Sequence, residues 1–517
     1  MSDNKCMIFN QRAYLRTLSC VEEKGNSKVL EFNTEPEAQK YIVEKLQDKY
    51  GSKNFEVLNI NEWHEKIEKT KEIEYNNDKF AEILSEISKE AEFIYDCCDN
   101  NINGFILPIS VKDNNEYVTV LEEKLTAFKE IINSKAAFRS ESDLGKKVNR
   151  NCDLIILALQ DLVSGEIKDA DKKVQCLIEN YIKNEFAVSE LDKSYAFRGL
   201  APYEDLHVTC GEKNSYKKML EEKLSFFRAR VVDKGQKICD VGDIISLPFS
   251  KRNLSKDLRF SVENEICLYL GVTSYVCSLE CGYEIEKNTE KDIYLSAFKF
   301  NSRGKKLKIL NLVVSESLIN GIYQKNIDGS VKRNLQNTLI ELFPLVVATS
   351  FTVEDKFEKR KKYEYLLSQS IIRVIKKLDM DGVAYLSRRG KNDFQYPHGV
   401  NLAIPMKDIG ESKEYSDLYQ YLSCTKPFLV SPISGKNFQC NGLEKSYINA
   451  CYLKYISNGS IENPMAKVDY NGKSIFYGET PYSKIDDYLL NQKFENLNGL
   501  NEIKTSYLGD YHAGIPF

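Results

Sequence analysis

One stretch in the middle of the chain combines a strand pattern, a helix start and an acid. Apolar residues recur at every second position of residues 266–272, which predicts a half-buried strand. Thr273 or Ser274 can cap a short helix directly afterwards, because a side-chain hydroxyl accepts a hydrogen bond from an N–H group of the first turn. Glu280 then lies about two turns into that helix among apolar neighbours. A carboxylate in such surroundings is costly to bury without a partner or a function, so the stretch predicts a site.

Length and composition limit what the rest of the chain can be. The chain has 517 residues, enough for about two to four domains with a large core. Hydrophobic residues make up 42% and charged residues 29%, and the formal net charge is -4, so no general attraction to nucleic acid or anionic membranes is expected. The N-terminus lacks the apolar segment of a signal peptide, and no apolar run reaches the length of about 18 residues that spans a bilayer. We therefore expect a cytoplasmic protein.

Cysteine and histidine usage argues against disulfides and metal. Fourteen cysteines are present, but none falls in a CxxC pair, which favours reduced and mostly buried thiols. The four histidines are isolated from one another, so no metal site is expected.

Helix and strand patterns predict an α+β protein with four regions. Residues 1–110 are predicted as a mixed α/β module, which includes a helix over residues 79–98. Residues 111–193 are predicted as a helical region, and residues 194–410 as a further domain of strands and helices, to which only the resemblance given below assigns the catalytic role. Residues 411–517 are rich in turn signals and predict a loop- and β-rich extension.

Within residues 194–410 the strand patterns carry the polar residues of interest. Arg228 and Arg259 lie on extended segments, and Tyr269 lies in the apolar strand described above. Ser387 is predicted at the end of one late strand, and Asn401 lies on the next. The other predicted elements are strands at 226–232, 293–300 and 308–314 and helices at 331–349 and 359–379.

Each of these residues also has an ordinary structural explanation. Arginines on strands commonly form surface ion pairs, and Tyr269 can simply pack in the core. Glu280 can cap a neighbouring helix or pair with an arginine, and Ser387 can be a turn residue. Arg230 projects to the same strand face as Arg228, so the residue pattern alone does not choose between them.

The order of these segments resembles the RES domain family, which is named for an arginine, a glutamate and a serine. The resemblance is carried by the segments FRAR, LRF, CLYLGVTSYVCSLE, YLLSQSI and DGVAYLSRRG…GVNLAI, and it covers about residues 195–410. The positions that match the motifs of the family are Arg228, Arg259, Tyr269, Glu280, Ser387 and Asn401.

Two features depart from the pattern of the family. Leu258 and Ser261 replace the glycine and asparagine of its GRxN turn, which puts in doubt how tightly that turn holds a phosphate. The interval between Glu280 and Ser387 is longer than in compact members, which suggests elaborated helices. Residues 111–193 are similar to the helical N-terminal region of the HEPN/RES type that longer members carry.

The resemblance implies an ADP-ribosyltransferase-like β-core with flanking helices and an enzyme that degrades NAD. The expected reaction is cleavage of the nicotinamide–ribose bond, with NAD as substrate, inorganic phosphate as a second substrate in phosphorolysis or water in hydrolysis, and no permanently bound cofactor. The expected context is a regulated toxin or phage-defence effector, with an antitoxin or a trigger protein as partner and homo-oligomerisation left open. A protein mono-ADP-ribosyltransferase is the alternative enzyme, and a catalytically inactive RES-fold scaffold is the alternative of another class.

The resemblance also implies a role for each matching residue. Glu280 would stabilise the positive charge that develops on the ribose, with Arg228 and Ser387 as further catalytic residues. Arg228 and Arg259 would hold the pyrophosphate, because a planar guanidinium pairs well with phosphate oxygens. Tyr269 would face the cationic nicotinamide ring, and Asn401 would contact the cofactor.

Basic runs leave one further alternative. Residues 359–362 and the pair Arg388 and Arg389 are compatible with RNA contact. The negative overall charge argues against it, and residues 359–362 are expected to open an amphipathic helix whose charges are solvated.

Overall fold

The computed structural model describes residues 5–10, 29–46, 55–75, 102–134, 143–200, 223–284, 290–321, 329–354, 361–389, 396–407, 413–430, 444–450, 467–470 and 473–500. The helix predicted over residues 79–98 lies outside them. The chain forms two compact units. The first comprises Met1–Cys97, Ala201–Glu222 and Ala450–Pro464, and the second comprises Cys98–Leu200, Lys223–Asn449 and Met465–Phe517.

The first unit contains a three-stranded antiparallel sheet in the order β2-β1-β3. Its elements are β1 (Cys6–Asn10), β2 (Glu31–Phe32), α1 (Glu35–Tyr41) with a π-helical turn (Ile42–Leu46), β3 (Phe55–Asn59) and α2 (Ile60–Tyr75). Side chains alternate across β1, so Ile8 packs with Ala38 of α1 on one face. Met7 and Phe9 pack with Trp63 of α2 on the other face. The predicted mixed α/β character of this region is confirmed.

The second unit is built on a ten-stranded sheet in the order β17-β13-β8-β6-β7-β12-β11-β9-β5, with β14 also paired to β8. Its strand pairs are antiparallel except β9 with β11, which is parallel. Two separate strand pairs, β4 with β10 and β15 with β16, are also present among the described residues. The bounds are β4 (Ile109–Val111), β5 (Val188–Glu190), β6 (Phe226–Asp233), β7 (Cys267–Gly271), β8 (Lys291–Phe300), β9 (Lys308–Leu312), β10 (Phe351–Val353), β11 (Gly382–Leu386), β12 (Val400–Pro405), β13 (Leu422–Thr425), β14 (Phe428–Val430), β15 (Lys467–Tyr470), β16 (Lys473–Phe476) and β17 (Phe494–Asn496).

The part of the second unit that the structure describes also contains helices. They are α3 (Asn114–Ser134), α4 (Leu144–Ser164), α5 (Ile167–Tyr181), α6 (Tyr195–Arg198), α7 (Ser274–Glu280), α8 (Glu316–Gly321), α9 (Gly329–Ala348), α10 (Tyr363–Lys377) and α11 (Pro481–Leu490). Helices α3, α4, α9 and α10 pack against one another, and α5 packs on α4 and α10. The buried Asp171 joins α5 to α10, because it accepts hydrogen bonds from Arg373 Nη2 at 2.9 Å and Ser370 Oγ at 2.6 Å, both on α10. Helices and a largely antiparallel sheet together confirm the α+β class.

The predicted elements of residues 194–410 correspond to observed ones, with one correction. Strands β6, β8 and β9 and helices α9 and α10 lie where the sequence predicts them. Helix α10 begins at Tyr363, so the expectation that residues 359–362 open it is wrong for Lys361 and Lys362. Positive charge is unfavourable at a helix N-terminus, and these lysines instead lie over the rings of Tyr363 and Tyr365.

The predicted C-terminal extension contains more than loops and strands. Strands β13, β14 and β17 pair into the large sheet. Helix α11 was not predicted, although Thr480 caps it through a hydrogen bond from Ser483 N at 3.2 Å and Pro481 opens it. The division into four regions stays a prediction. Among the helices described, none is long and apolar enough to cross a membrane.

Candidate functional site

Sheet pairing brings Arg228, Tyr269 and Asn401, with Ser387 at a strand end, to four neighbouring strands. Strands β6, β7, β12 and β11 lie side by side at the centre of the large sheet. In this register Asn401 of β12 lies opposite Gly271 of β7 on one side and Tyr385 of β11 on the other. Residues far apart in the sequence therefore face one another across adjacent strands.

Helix α7 starts directly after β7 and lies against it. Thr273 is the N-cap, since its Oγ1 accepts a hydrogen bond from Val276 N at 3.1 Å, which confirms the predicted cap. A Cβ atom at Gly271 would lie 2.8 Å from Cys277 Sγ and would clash with Val276 Cγ1. Only glycine permits this close approach, which fixes the path of the helix. The last residue of α7 is Glu280.

The structure brings Glu280 and Asn401 into direct contact. Asn401 Nδ2 donates a hydrogen bond of 2.7 Å to Glu280 Oε1. Asn401 is fully buried, and its other side-chain atom, Oδ1, has no hydrogen-bond partner within the described part of the chain. Glu280 itself is partly exposed. The pair thus presents a held carboxylate next to a buried acceptor that can still receive a hydrogen bond.

Arg228 is buried and bonded to the main chain. Its Nε donates to the Ile244 carbonyl at 2.6 Å, and its Nη1 donates to the Tyr269 carbonyl at 2.9 Å. Among the described residues, β6 and β7 pair only through Phe227 and Gly271. The Arg228 guanidinium therefore bonds the Tyr269 carbonyl of β7, which β6 does not pair with. Burial lowers the pKa of Arg228. Its predicted contact with the substrate stays a prediction.

Arg259 lies in a turn of the loop before β7, so the expectation of an extended segment there is wrong, because Leu258 bridges back to Ser261. Its side chain is also bonded to main-chain carbonyls. Its Nη1 donates to Thr349 O and its Nη2 to Phe351 O, each at 2.8 Å. Its guanidinium also lies 4.9 Å from the ring centroid of Tyr365. These bonds tie the loop to the end of α9 and the start of β10. The predicted role in holding a phosphate stays a prediction.

Tyr269 and Ser387 both lie below the protein surface. Tyr269 is 4% exposed, and burial raises the pKa of its phenol well above the usual value, so the group stays neutral. Ser387 follows β11, where its N–H donates to Gly399 O at 2.8 Å. Its Oγ accepts a hydrogen bond from Arg389 N at 3.2 Å.

Sequence reasoning missed Tyr385 as a neighbour of the acid. Burial raises the pKa of this phenol well above its usual value, and the charge of Glu280 acts in the same direction. The positive charges of Arg259 and Arg388 oppose the rise. The signal was present, because Tyr385 lies two residues before Ser387 and residues at that spacing share a strand face.

Two arginines act on the residue that follows the acid. Burial raises the pKa of the Cys281 thiol to about 12, the charges of Arg228 and Arg389 oppose that rise, and Glu280 adds to it. Arg228 is buried, whereas Arg389 is exposed on the turn after β11. Sequence analysis named Arg389 only as part of a basic pair.

The residues that the structure describes offer no group of three or more His, Cys, Asp or Glu side chains suited to a metal ion.

Comparison with known proteins gives limited likeness. No protein-family model matches the chain. A Bacillus subtilis (strain 168) protein named "Putative toxin YopC" is 26% identical over 223 residues, which are 41% of this chain and 47% of that protein. The chain therefore matches about half the length of this relative. A solved structure, described as the crystal structure of the M. tuberculosis MbcT-MbcA toxin-antitoxin complex, matches 41% of this chain and 88% of that chain at 12% identity. Its TM-score of 0.21 is too low to support any conclusion.

Proposed function

We propose that the chain is a toxin-class enzyme that cleaves the nicotinamide–ribose bond of NAD by phosphorolysis or hydrolysis. The observation that carries the proposal is the Glu280 carboxylate, held 2.7 Å from Asn401 Nδ2. Glycosyl cleavage passes through an oxocarbenium-like state, and a fixed carboxylate stabilises its positive charge. The likeness to a protein named as a toxin supports the toxin class.

Asn401 has two tasks in this proposal. Its Nδ2 orients the carboxylate, so that Glu280 does not have to reorganise when charge develops on the ribose. Its Oδ1, for which the described residues offer no hydrogen-bond partner, accepts a hydrogen bond from the substrate, either from a ribose hydroxyl or from the carboxamide N–H of nicotinamide. A buried acceptor without a partner costs about 1–3 kcal/mol, and a bound donor relieves that cost. The substrate would therefore donate a hydrogen bond to an acceptor that has no donor among the described residues of the free protein.

In this proposal Arg389 holds the pyrophosphate, in place of the expected Arg228 and Arg259. Arg228 and Arg259 already donate to main-chain carbonyls, whereas the exposed Arg389 lies on the turn after β11 and acts electrostatically on Cys281, which follows the acid. A planar guanidinium can pair with two phosphate oxygens at once. Ser387 Oγ accepts from Arg389 N, which leaves its O–H to donate to phosphate or water.

The test is to incubate the purified full chain with NAD in the presence and absence of phosphate and to identify the products. Nicotinamide with ADP-ribose-1″-phosphate indicates phosphorolysis, free ADP-ribose indicates hydrolysis, and label retained on protein indicates transfer. We expect Glu280→Gln to reduce turnover by about 10²–10³-fold, the usual effect of removing one well-placed electrostatic group.

Glu341→Gln is the matched control, because it removes a partly exposed carboxylate on α9 that pairs with Lys147 of α4. It should leave turnover unchanged. In cells, induction of the wild type should lower NAD and stop growth, whereas Glu280→Gln should do neither. Absence of any NAD consumption by the wild type, or equal rates for the wild type and Glu280→Gln, would refute the proposal.

A further inference from the structure

Helix α7 is held at its start by the C-terminal part of the second unit. Ser274 N donates to Asp486 Oδ1 at 3.0 Å, and Ser274 Oγ donates to Tyr482 O at 3.3 Å. The next residue, Tyr275, donates from its phenol to Asp469 O at 2.8 Å. The first two residues of the helix that ends at Glu280 thus donate three hydrogen bonds to acceptors on β15 and α11.

Asp486 is the central group of this contact. Its side chain is fully buried, and its second oxygen accepts a hydrogen bond from Tyr477 OH. Burial raises the pKa of Asp486 to about 8, so the carboxyl is mostly neutral at pH 7. Among the described residues, the other titratable groups near it are Asp487 on the same helix, Cys277 of α7 and His398, whose ring is tilted against the Tyr477 ring at a centroid distance of 5.0 Å.

The length of α7 connects this contact to the acid. The helix has seven residues and is therefore about 10 Å long, with the Asp486 contact at one end and Glu280 at the other. A short helix tilts as one body, so loss of its N-terminal anchor displaces the carboxylate at its far end. Misplacement by about 1 Å can cost 10²-fold in rate.

We infer that Asp486 is a positioning residue for Glu280: it fixes the start of α7 and thereby aims the carboxylate. The inference rests on the proposed function for its catalytic consequence, although the anchoring of the helix stands on the hydrogen bonds alone. Sequence analysis assigned residues 411–517 to an extension without a role. The inference instead makes β15 and α11 part of the catalytic apparatus.

The test compares Asp486→Ala with Asp487→Ala in the full chain. Asp487 is the matched control, because it lies on the same helix and accepts hydrogen bonds from Ser446 N and Asn449 Nδ2, both at 2.8 Å. Both variants should lower the melting temperature. Only Asp486→Ala should increase hydrogen exchange of residues 274–281, by about tenfold or more, and reduce kcat for NAD, by about 10–100-fold, with little change in KM.

Asp486→Asn gives a second readout that a loss of folding does not obscure. Asparagine has the shape of the neutral acid, so at pH 7 this variant should keep wild-type kcat. Its amide Oδ1 can still accept from Ser274 N, so Asp486→Asn should also keep the slow exchange of residues 274–281 that Asp486→Ala loses. Equal losses of kcat and of exchange protection in the Asn and Ala variants would overturn the inference.

The remaining outcomes separate the inference from the proposed function. Equal exchange of residues 274–281 in the two alanine variants would overturn the anchoring, and unequal exchange with equal kcat would overturn the positioning of Glu280. If the wild type does not cleave NAD, the proposed function fails, and the exchange comparison still decides whether Asp486 fixes the helix.

Discussion

Replacement of Asn401 by leucine should separate activity from stability. The substitution keeps a similar side-chain volume and removes the Nδ2 donor that holds Glu280 at 2.7 Å. A hydrogen bond to a charged group contributes about 1.5–3 kcal/mol, so we expect turnover of NAD to fall by about 10–150-fold. The partial exposure of Glu280 allows water to replace the lost donor in part, which favours the lower half of this range.

The stability of this variant should change little. In the wild type, none of the described residues bonds the buried Asn401 Oδ1, which costs about 1–3 kcal/mol. Leucine removes that cost together with the favourable bond, so the free energy of unfolding should stay within about 1 kcal/mol of the wild-type value.

Asn311→Leu on β9 is the control for this experiment. Asn311 is also fully buried, but its amide donates to Phe186 O and Ser189 Oγ and accepts from Ser194 Oγ. Loss of three satisfied bonds should cost about 3 kcal/mol or more and leave turnover per folded molecule unchanged. The assays are denaturant unfolding and initial rates of nicotinamide release. Wild-type turnover in Asn401→Leu, or a loss that tracks stability equally in both variants, would refute the reasoning.

Three further predictions concern packing and charge. Gly271→Ala should lower stability by about 1–3 kcal/mol and reduce NAD turnover, because the added methyl group collides with α7; unchanged melting temperature and rate would contradict this. The pKa of Asp486 is raised from 3.8 to about 8 in the folded protein. Its stabilising contribution is therefore complete below pH 4, decreases as pH rises to 8 and is constant above that pH. The melting temperature of Asp486→Asn should rise relative to that of the wild type between pH 5 and 8, and parallel curves would contradict this. Asp171→Ala should cost about 2–4 kcal/mol in denaturant unfolding, because it leaves the partly buried Arg373 without its carboxylate; a change below about 0.5 kcal/mol would disprove the importance of this pair.

Local sequence patterns were sufficient for the elements that carry the site. The alternation over residues 266–272 and the hydroxyl of Thr273 predict β7 and the start of α7, since strand period and helix capping depend on neighbours in the chain. The same reasoning places Ser387 at the end of a strand. Helix α11 was missed, although Thr480 and Pro481 carry the signature of a helix start.

The amino-acid sequence by itself therefore determined the α+β class, most strands and helices of residues 194–410, and Glu280 as an acid that needs a partner. Only the tertiary structure decided that Asn401 is that partner and that Asp486 anchors the helix of Glu280. It also decided that Arg228 and Arg259 donate to main-chain carbonyls. The physical reason is that periodicity and capping are local, whereas these contacts depend on sheet register and on packing between separate segments, which lie more than 100 residues apart for the Asn401 and Asp486 contacts.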